Sequence, residues 1–317
     1  MKHIFVIDDI FFRDQQWLMD SMLDSIGQYF RTQENPDFYI QISRSRRDAI
    51  VLIQERITAA GEDDVVRVYA VGGEEILFDC LNGIAGLPNM ELAVVPYGNP
   101  INFLRIFGEE STGLFSDIPA VINAPAIPTD IINAGNVFAL NACMIGLLPV
   151  LGVQMREVNK KKGSDSGVYS FFLKILAYLN RIPMLLGKRI TARQYSIKID
   201  DEDYSGRYSL IKVANGPYYS RNKFTAAGAM PDDGLLEVAL FKAADPFSTL
   251  WSIRAHSRGR VPSKCISLKA KKIEIVSEDP MWIQLDNEYL QNTHVTFEII
   301  PEAVQFVAVN NLTYREP

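Results

Sequence analysis

The chain is poor in the side chains that build transition-metal centres. Its 317 residues include three cysteines, Cys80, Cys143 and Cys265, and three histidines, His3, His256 and His294, all far apart. No pair has a zinc-ligand spacing, which argues against a His/Cys metal centre, and an odd number of scattered thiols suits buried cysteines in a reducing compartment. Positive charge is in deficit as well. Lys and Arg number 32 against 38 Asp and Glu, a net charge of −6 that argues against nucleic acid as the main partner. Internal repeats and low-complexity linkers are absent, and the opening MKHIFVIDD has too short an apolar run for a signal peptide; it reads as a first strand.

Long apolar runs are scarce too. One charge-free stretch, Ile131 to Met155, has the length of a membrane span, with Lys160, Lys161 and Lys162 behind it. Asn133, Asn136, Asn141, Gln154, Pro149 and several glycines would leave polar groups without water in lipid. The stretch therefore reads as buried strands and a turn of a cytoplasmic protein.

What is present suits two domains with real cores, since 48% of the residues are apolar. The first third alternates strand-like runs (HIFVID, FYIQIS, VVRVYAV, ELAVVPYG) with helix-like ones. In the first helix, Trp17, Leu18, Met22, Leu23 and Ile26 recur at helical spacing. This order predicts an α/β domain over 1–124 with a parallel sheet, whose ligands bind beyond the carboxyl ends of the strands. Short alternating runs follow: YSIKI, YSLIKVA, GLLEVALF, KKIEIV, WIQL and HVTFEII. They predict a mainly β, sandwich-like domain over 125–302, with a tail of about 303–317 returning to the first domain, and DDEDYSG as a hairpin turn.

At one strand end stands AVGGEEILFD. Gly72 and Gly73 give backbone N–H groups the close approach that phosphate needs. Glu74 and Glu75 then put two negative charges at the start of a helix, where carboxylates suit the dipole and compete with phosphate. A carboxylate about 5 Å from a phosphate charge costs roughly 3 kcal/mol at an effective dielectric near 20. A divalent ion between them reverses the sign. Asp8 and Asp9, at the end of the first strand, are candidates to join Glu74 and Glu75 around such a cation.

The ordered set GGEEILFDCLNG, PYGNPINFLR, ANGPYY, MPDDGLLEV and QLDNEYL resembles the motifs of the diacylglycerol kinase catalytic family, the soluble bacterial lipid kinases and their sphingosine kinase relatives, over nearly the whole length. The resemblance implies a lipid-kinase, NAD-kinase-like fold with ATP in a cleft between the domains, magnesium, and phosphoryl transfer to a lipid hydroxyl such as that of diacylglycerol. It assigns Glu288 as general base, Asp233 as ligand of a structural magnesium ion, and Gly72, Gly73, Glu74, Glu75, Ile76, Gly98, Asn99 and Asn102 to the nucleotide site. The departures all lie on the nucleotide side. Asp8 and Asp9 replace a family Asn-Pro, Glu74, Glu75 and Ile76 replace Asp-Gly-Thr, Asn99 and Ile101 replace Thr and Asn, and Leu148 replaces Asp. Together they point to a pseudokinase with ATP binding in doubt and the cleft kept for a lipid or another ligand; the alternative is an active, magnesium-dependent lipid kinase.

Residues 156–193 hold nine basic side chains against two acids, a local +7 in a chain of −6. Val168, Phe171, Phe172, Ile175, Leu176 and Leu179 share one helical face there. Such a helix fits the inner face of an anionic membrane, and equally a core-facing helix with a basic rim. The expected partners are therefore a lipid or membrane surface through 156–193 and no nucleic acid, with a homo-oligomer left open.

Overall fold

A computed structural model describes residues 1–34, 36–58, 64–97, 101–108, 111–162, 192–218, 226, 228–244, 246–256 and 258–314. The chain begins β1 (Lys2–Asp8), α1 (Asp9–Phe12), α2 (Gln16–Arg31), β2 (Phe38–Ser43), α3 (Asp48–Thr58), β3 (Val66–Gly72), α4 (Glu74–Ile84) and β4 (Met90–Pro96). These strands pair in parallel in the order β4-β3-β1-β2. β3 is buried at every position, and β1 at five of seven, because helices cover both faces of a parallel sheet and leave no wet side for polar residues.

α2 buries Met19, Met22, Ile26 and Phe30 and packs Leu18 and Leu23 against the same core, so that of the predicted stripe only Trp17, 71% exposed, lies outside. The periodicity gave a helix correctly, but a five-residue apolar set is broader than the face the sheet can cover, and Trp17 falls outside it. α4 is held against α3 by Gly83, where a Cβ would sit 3.1 Å from Ile53. Phe5 stacks on Tyr69 with ring centroids 4.1 Å apart in the centre of this first core.

Further along come a 3-10 turn (Phe103–Phe107), α5 (Ser111–Leu114), α6 (Ile118–Asn123), β5 (Ala126–Asn133), β6 (Phe138–Ala139), β7 (Ala142–Gly146) and α7 (Leu147–Lys162). β8 (Arg193–Ile199), β9 (Glu202–Asp203), β10 (Gly206–Ala214), β11 (Leu236–Lys242), α8 (Pro246–His256), β12 (Cys265–Ala270), β13 (Lys272–Leu285) and β14 (Glu288–Val307) complete the order. The uncharged stretch Ile131 to Met155 is thus strand in its first half and helix from Leu147 onward, where a turn was expected. Among the described residues no helix is long and apolar enough to cross a membrane. Most of the basic segment 156–193 lies outside the described residues.

β8 alternates exposed and buried positions, as a strand covered on one face should. It forms a hairpin with β10 across the DDEDYSG turn. Its inward residues join Ile145, Ile211, Ile283 and Phe297 in a second core. The two regions share one hydrogen-bonded ladder, β12-β11-β10-β7-β13-β14-β4-β3-β1-β2. The join is the twenty-residue β14, antiparallel to β13 and β5 and parallel to β4 at Gln305 and Phe306. Phe306 packs there among Phe103, Phe107 and Phe115. The fold is therefore α/β in its first part and mainly β, sandwich-like, in its second, with the β13–β14 turn delivered to the carboxyl ends of the parallel strands.

Candidate functional site

β3 ends at Gly72 with φ +148°, and a Cβ there would meet the Asp8 side chain at 2.9 Å. Glycine is required by both counts. Gly73 then caps α4 through its backbone alone, so the first turn of α4 presents Glu74 and Glu75 to the strand ends. Ile76, in the first turn of α4, turns into the core and is buried.

Glu74 accepts the backbone N–H of Asn102, the residue that leads into the 3-10 turn after β4. Burial, opposed by that hydrogen bond and reinforced by the charge of Asp286, pushes the Glu74 carboxyl up to about 7. Glu75 turns the other way. Its Oε1 lies 2.9 Å from Arg46 Nη2 and 3.8 Å from Arg156 Nη2, so two guanidinium groups converge on one carboxylate oxygen. The same Arg46 reaches Glu288 at 3.1 Å with its other terminal nitrogen.

Each arginine is held from a separate element. Arg46 lies in the loop between β2 and α3, where Arg47 has φ +64° and donates its N–H to Asp79 Oδ2 at 2.7 Å. Asp79, on α4, is raised above the usual carboxylate range by burial, and Glu288 adds to the shift. Arg156, on α7, donates to the Asn287 carbonyl and lies over the Tyr289 ring, 4.6 Å from its centroid. Gly152 admits this contact, since a Cβ would overlap the Tyr289 hydroxyl.

Glu288 opens β14 directly after the turn made by Asp286 and Asn287. Asp286 anchors that turn: its Oδ2 accepts the Leu140 N–H at 2.7 Å, and its Oδ1 accepts those of Asn141 at 3.0 Å and Ala142 at 2.8 Å. Burial raises the Asp286 carboxyl against the pull of these three donors. Nearby, Asn215 donates to the carbonyls of Asp130 and Leu140, both at 2.8 Å, and its buried Oδ1 has no partner among the described residues.

The structure thus brings Gly72, Gly73, Glu74, Glu75, Asn102 and Glu288 to one place. Gly98 and Asn99 lie outside the described residues. Asp8 caps α1 by accepting the Ile10 N–H at 3.1 Å, and burial, then Glu75 and Asp9, raise its carboxyl. Among the described residues no set of three or more His, Cys, Asp or Glu side chains is arranged to hold a metal ion, Asp8, Asp9, Glu74 and Glu75 included. Leu148 packs on the cluster of Leu210, Ala239 and Phe241. Asp233 is remote from the others in its bonding: Oδ1 accepts the Leu235 N–H at 3.0 Å, and Oδ2 is 2.7 Å from Lys269 Nζ, which also lies 3.7 Å from Glu237.

Sequence reasoning passed over Arg46 and the pairing of Arg156, and gave no role to Asp79 and Asp286, which stood inside quoted motifs. Asp286 stood inside the QLDNEYL motif, so the signal was there. Arg46 sat in a run of surface-like basic residues, SRSRRD, which carries no mark of its partners 29 and 242 positions away.

Comparison with known proteins adds what this chain is similar to. Residues 174–308 match the family model described as the YegS C-terminal NAD kinase beta sandwich-like domain. A Staphylococcus aureus protein from strain Mu3 named "Putative lipid kinase" is 25% identical over 278 residues, 86% of this chain and 87% of that protein. The counterpart from the bovine strain RF122 is 26% identical over the same shares. Two Bacillus anthracis structures, each titled as a "putative diacylglycerol kinase", superpose with TM-scores of 0.73 and 0.72 at 20% and 19% identity. The first covers 98% of this chain and 96% of its own, the second 98% of both. At that identity the superposition speaks for the fold alone, and the matched domain and the relatives matched over most of their length support a likeness to the diacylglycerol kinase-like family.

Proposed function

We propose that this chain is a lipid-kinase-family protein impaired in ATP use, whose cleft at the strand ends is retained for a lipid or another ligand. The observation that supports it most is the fate of the hydrogen-bond donors and cations at the strand ends. The Asn102 N–H is taken by Glu74, and the paired guanidinium groups of Arg46 and Arg156 are taken by Glu75. The chain's own carboxylates thus sit where an incoming triphosphate needs donors. For Glu74 in its ionised form, an uncompensated carboxylate about 5 Å from a phosphate charge costs roughly 3 kcal/mol, on the order of a hundredfold in affinity, whereas Glu75 obstructs by occupying the two arginines.

Magnesium at Asp233 has a poor fit for a related reason. The Lys269 ammonium already neutralises Asp233 and approaches Glu237. A divalent ion on the same carboxylate would have to expel a like charge.

An active kinase is the second reading, favoured by the survival of Glu288 beside the cleft, 3.1 Å from Arg46. In that reading Glu288 takes the proton of a lipid hydroxyl. Incubation with γ-labelled ATP, magnesium and diacylglycerol in mixed micelles separates the two. The expected result is no labelled lipid above the background of a Glu288→Gln variant. Labelled lipid made by the wild type and lost in Glu288→Gln would establish the second reading instead.

A further inference from the structure

Among the described side chains of α8, Thr249, Ser252 and His256 are buried and Ile253 packs against the Leu210 and Phe241 cluster, while Trp251 is 61% exposed and Arg254 is exposed. A helix that served only to cover β11 would turn its tryptophan inward, because that side chain has the most apolar area to bury. The turn that follows repeats the pattern: Arg258, Arg260 and Lys264 are exposed, and between them Val261 is 64% exposed. No carboxylate among the described residues pairs with the side chains of Arg258, Arg260 or Lys264.

The charge along this segment is one-sided. Between Asp245 and Glu274 the sequence has seven Lys or Arg and no acid, in a chain whose net charge is −6; Lys269 and Lys272, beyond the turn, pair with Asp233 and Glu298. An aromatic ring and an aliphatic side chain in water, ringed by cations, have the composition of a surface that meets an anionic bilayer. The indole sits at the headgroup level, the valine enters the acyl boundary, and the arginines bind lipid phosphates. We propose that α8 and the turn to β12 form a docking face for an anionic lipid membrane, separate from the basic segment 156–193. It acts whether or not the cleft uses ATP. The acidic remainder of the chain favours the approach that leads with this face.

The test is co-sedimentation of the full chain with phosphatidylcholine vesicles and with mixed phosphatidylcholine/phosphatidylglycerol vesicles, read together with tryptophan emission. The mixed vesicles are expected to bind the protein and the neutral ones not to. Arg258→Gln with Arg260→Gln should weaken binding about thirtyfold, from the typical contribution of one basic residue near an anionic surface taken twice. Both side chains are exposed, so the melting temperature of this variant should stay at the wild-type value. Trp251→Phe should remove the blue shift of emission seen on mixed vesicles, since Trp17 and Trp282 lie on other elements. Equal binding to neutral vesicles, no binding to either kind, unchanged affinity in the double variant, or tighter binding to duplex DNA than to mixed vesicles at the same salt would each overturn the proposal.

Discussion

Asp286→Ala is expected to destabilise the fold by about 3–5 kcal/mol, the cost of leaving several buried N–H donors without acceptors, each worth roughly 1–3 kcal/mol. The three donors, from Leu140, Asn141 and Ala142, belong to the segment entering β7. The loss should be felt locally first, with faster hydrogen exchange at those amides and in the turn that carries Glu288. Asp286→Asn sharpens the test. Its Oδ1 can still receive Asn141 and Ala142, but its amide group would face the Leu140 N–H, donor against donor. An intermediate loss of about 1–2 kcal/mol is expected. A loss near zero for the alanine variant in urea denaturation would mean that the carboxylate does not anchor the turn.

Glu74→Gln is expected to stabilise the protein at pH 8 and to leave it unchanged at pH 4. Burial lifts the Glu74 carboxyl from 4.5 to about 7 in the folded state. Between those values the folded chain holds a proton that the unfolded chain has released, so stability is greatest below 4.5 and is lost as pH rises through 7. The whole effect is at most about 3 kcal/mol, and less to the extent that water reaches the side chain. Glutamine keeps the acceptor for the Asn102 N–H and removes the charge. Urea denaturation of both proteins across this range checks the sign: a gain that is constant with pH would show that Glu74 does not titrate in the window. The same substitution weakens the electrostatic obstacle to phosphate, but Glu75 and its arginine clamp remain.

The pattern of strands and helices was readable because it depends on neighbours a few residues apart. Strand β3 reads as a buried parallel strand from VRVYAVG alone, and the Gly72–Gly73 turn from its glycines. The place of Trp17 was not readable, since which apolar side chains of α2 face the sheet depends on the angle at which the helix lies on it. The same limit hid α7: Leu147 to Met155 is apolar enough for either strand or helix, and its helical state is fixed by what it packs on, Tyr289 included. The site divided in the same way. Glu74, Glu75 and Glu288 came from motifs, whereas the Arg46 clamp needs the pairing of β14 with β4 to bring residues 46 and 288 together. Long-range pairing leaves no local trace in sequence. Lys269 on Asp233 follows similarly from the register of β11 and β12, which places Lys269 opposite Glu237.

The central claim is that Glu74 and Glu75 occupy the groups a triphosphate would need. Isothermal titration calorimetry of the wild-type chain at pH 8, where Glu74 is ionised, tests it most directly, with ATP alone, magnesium alone and the two together. The account predicts no saturable heat in any of the three up to millimolar ligand. A saturable, magnesium-dependent ATP isotherm would contradict it, because the carboxylates would then be holding the metal for the nucleotide and not standing in its place.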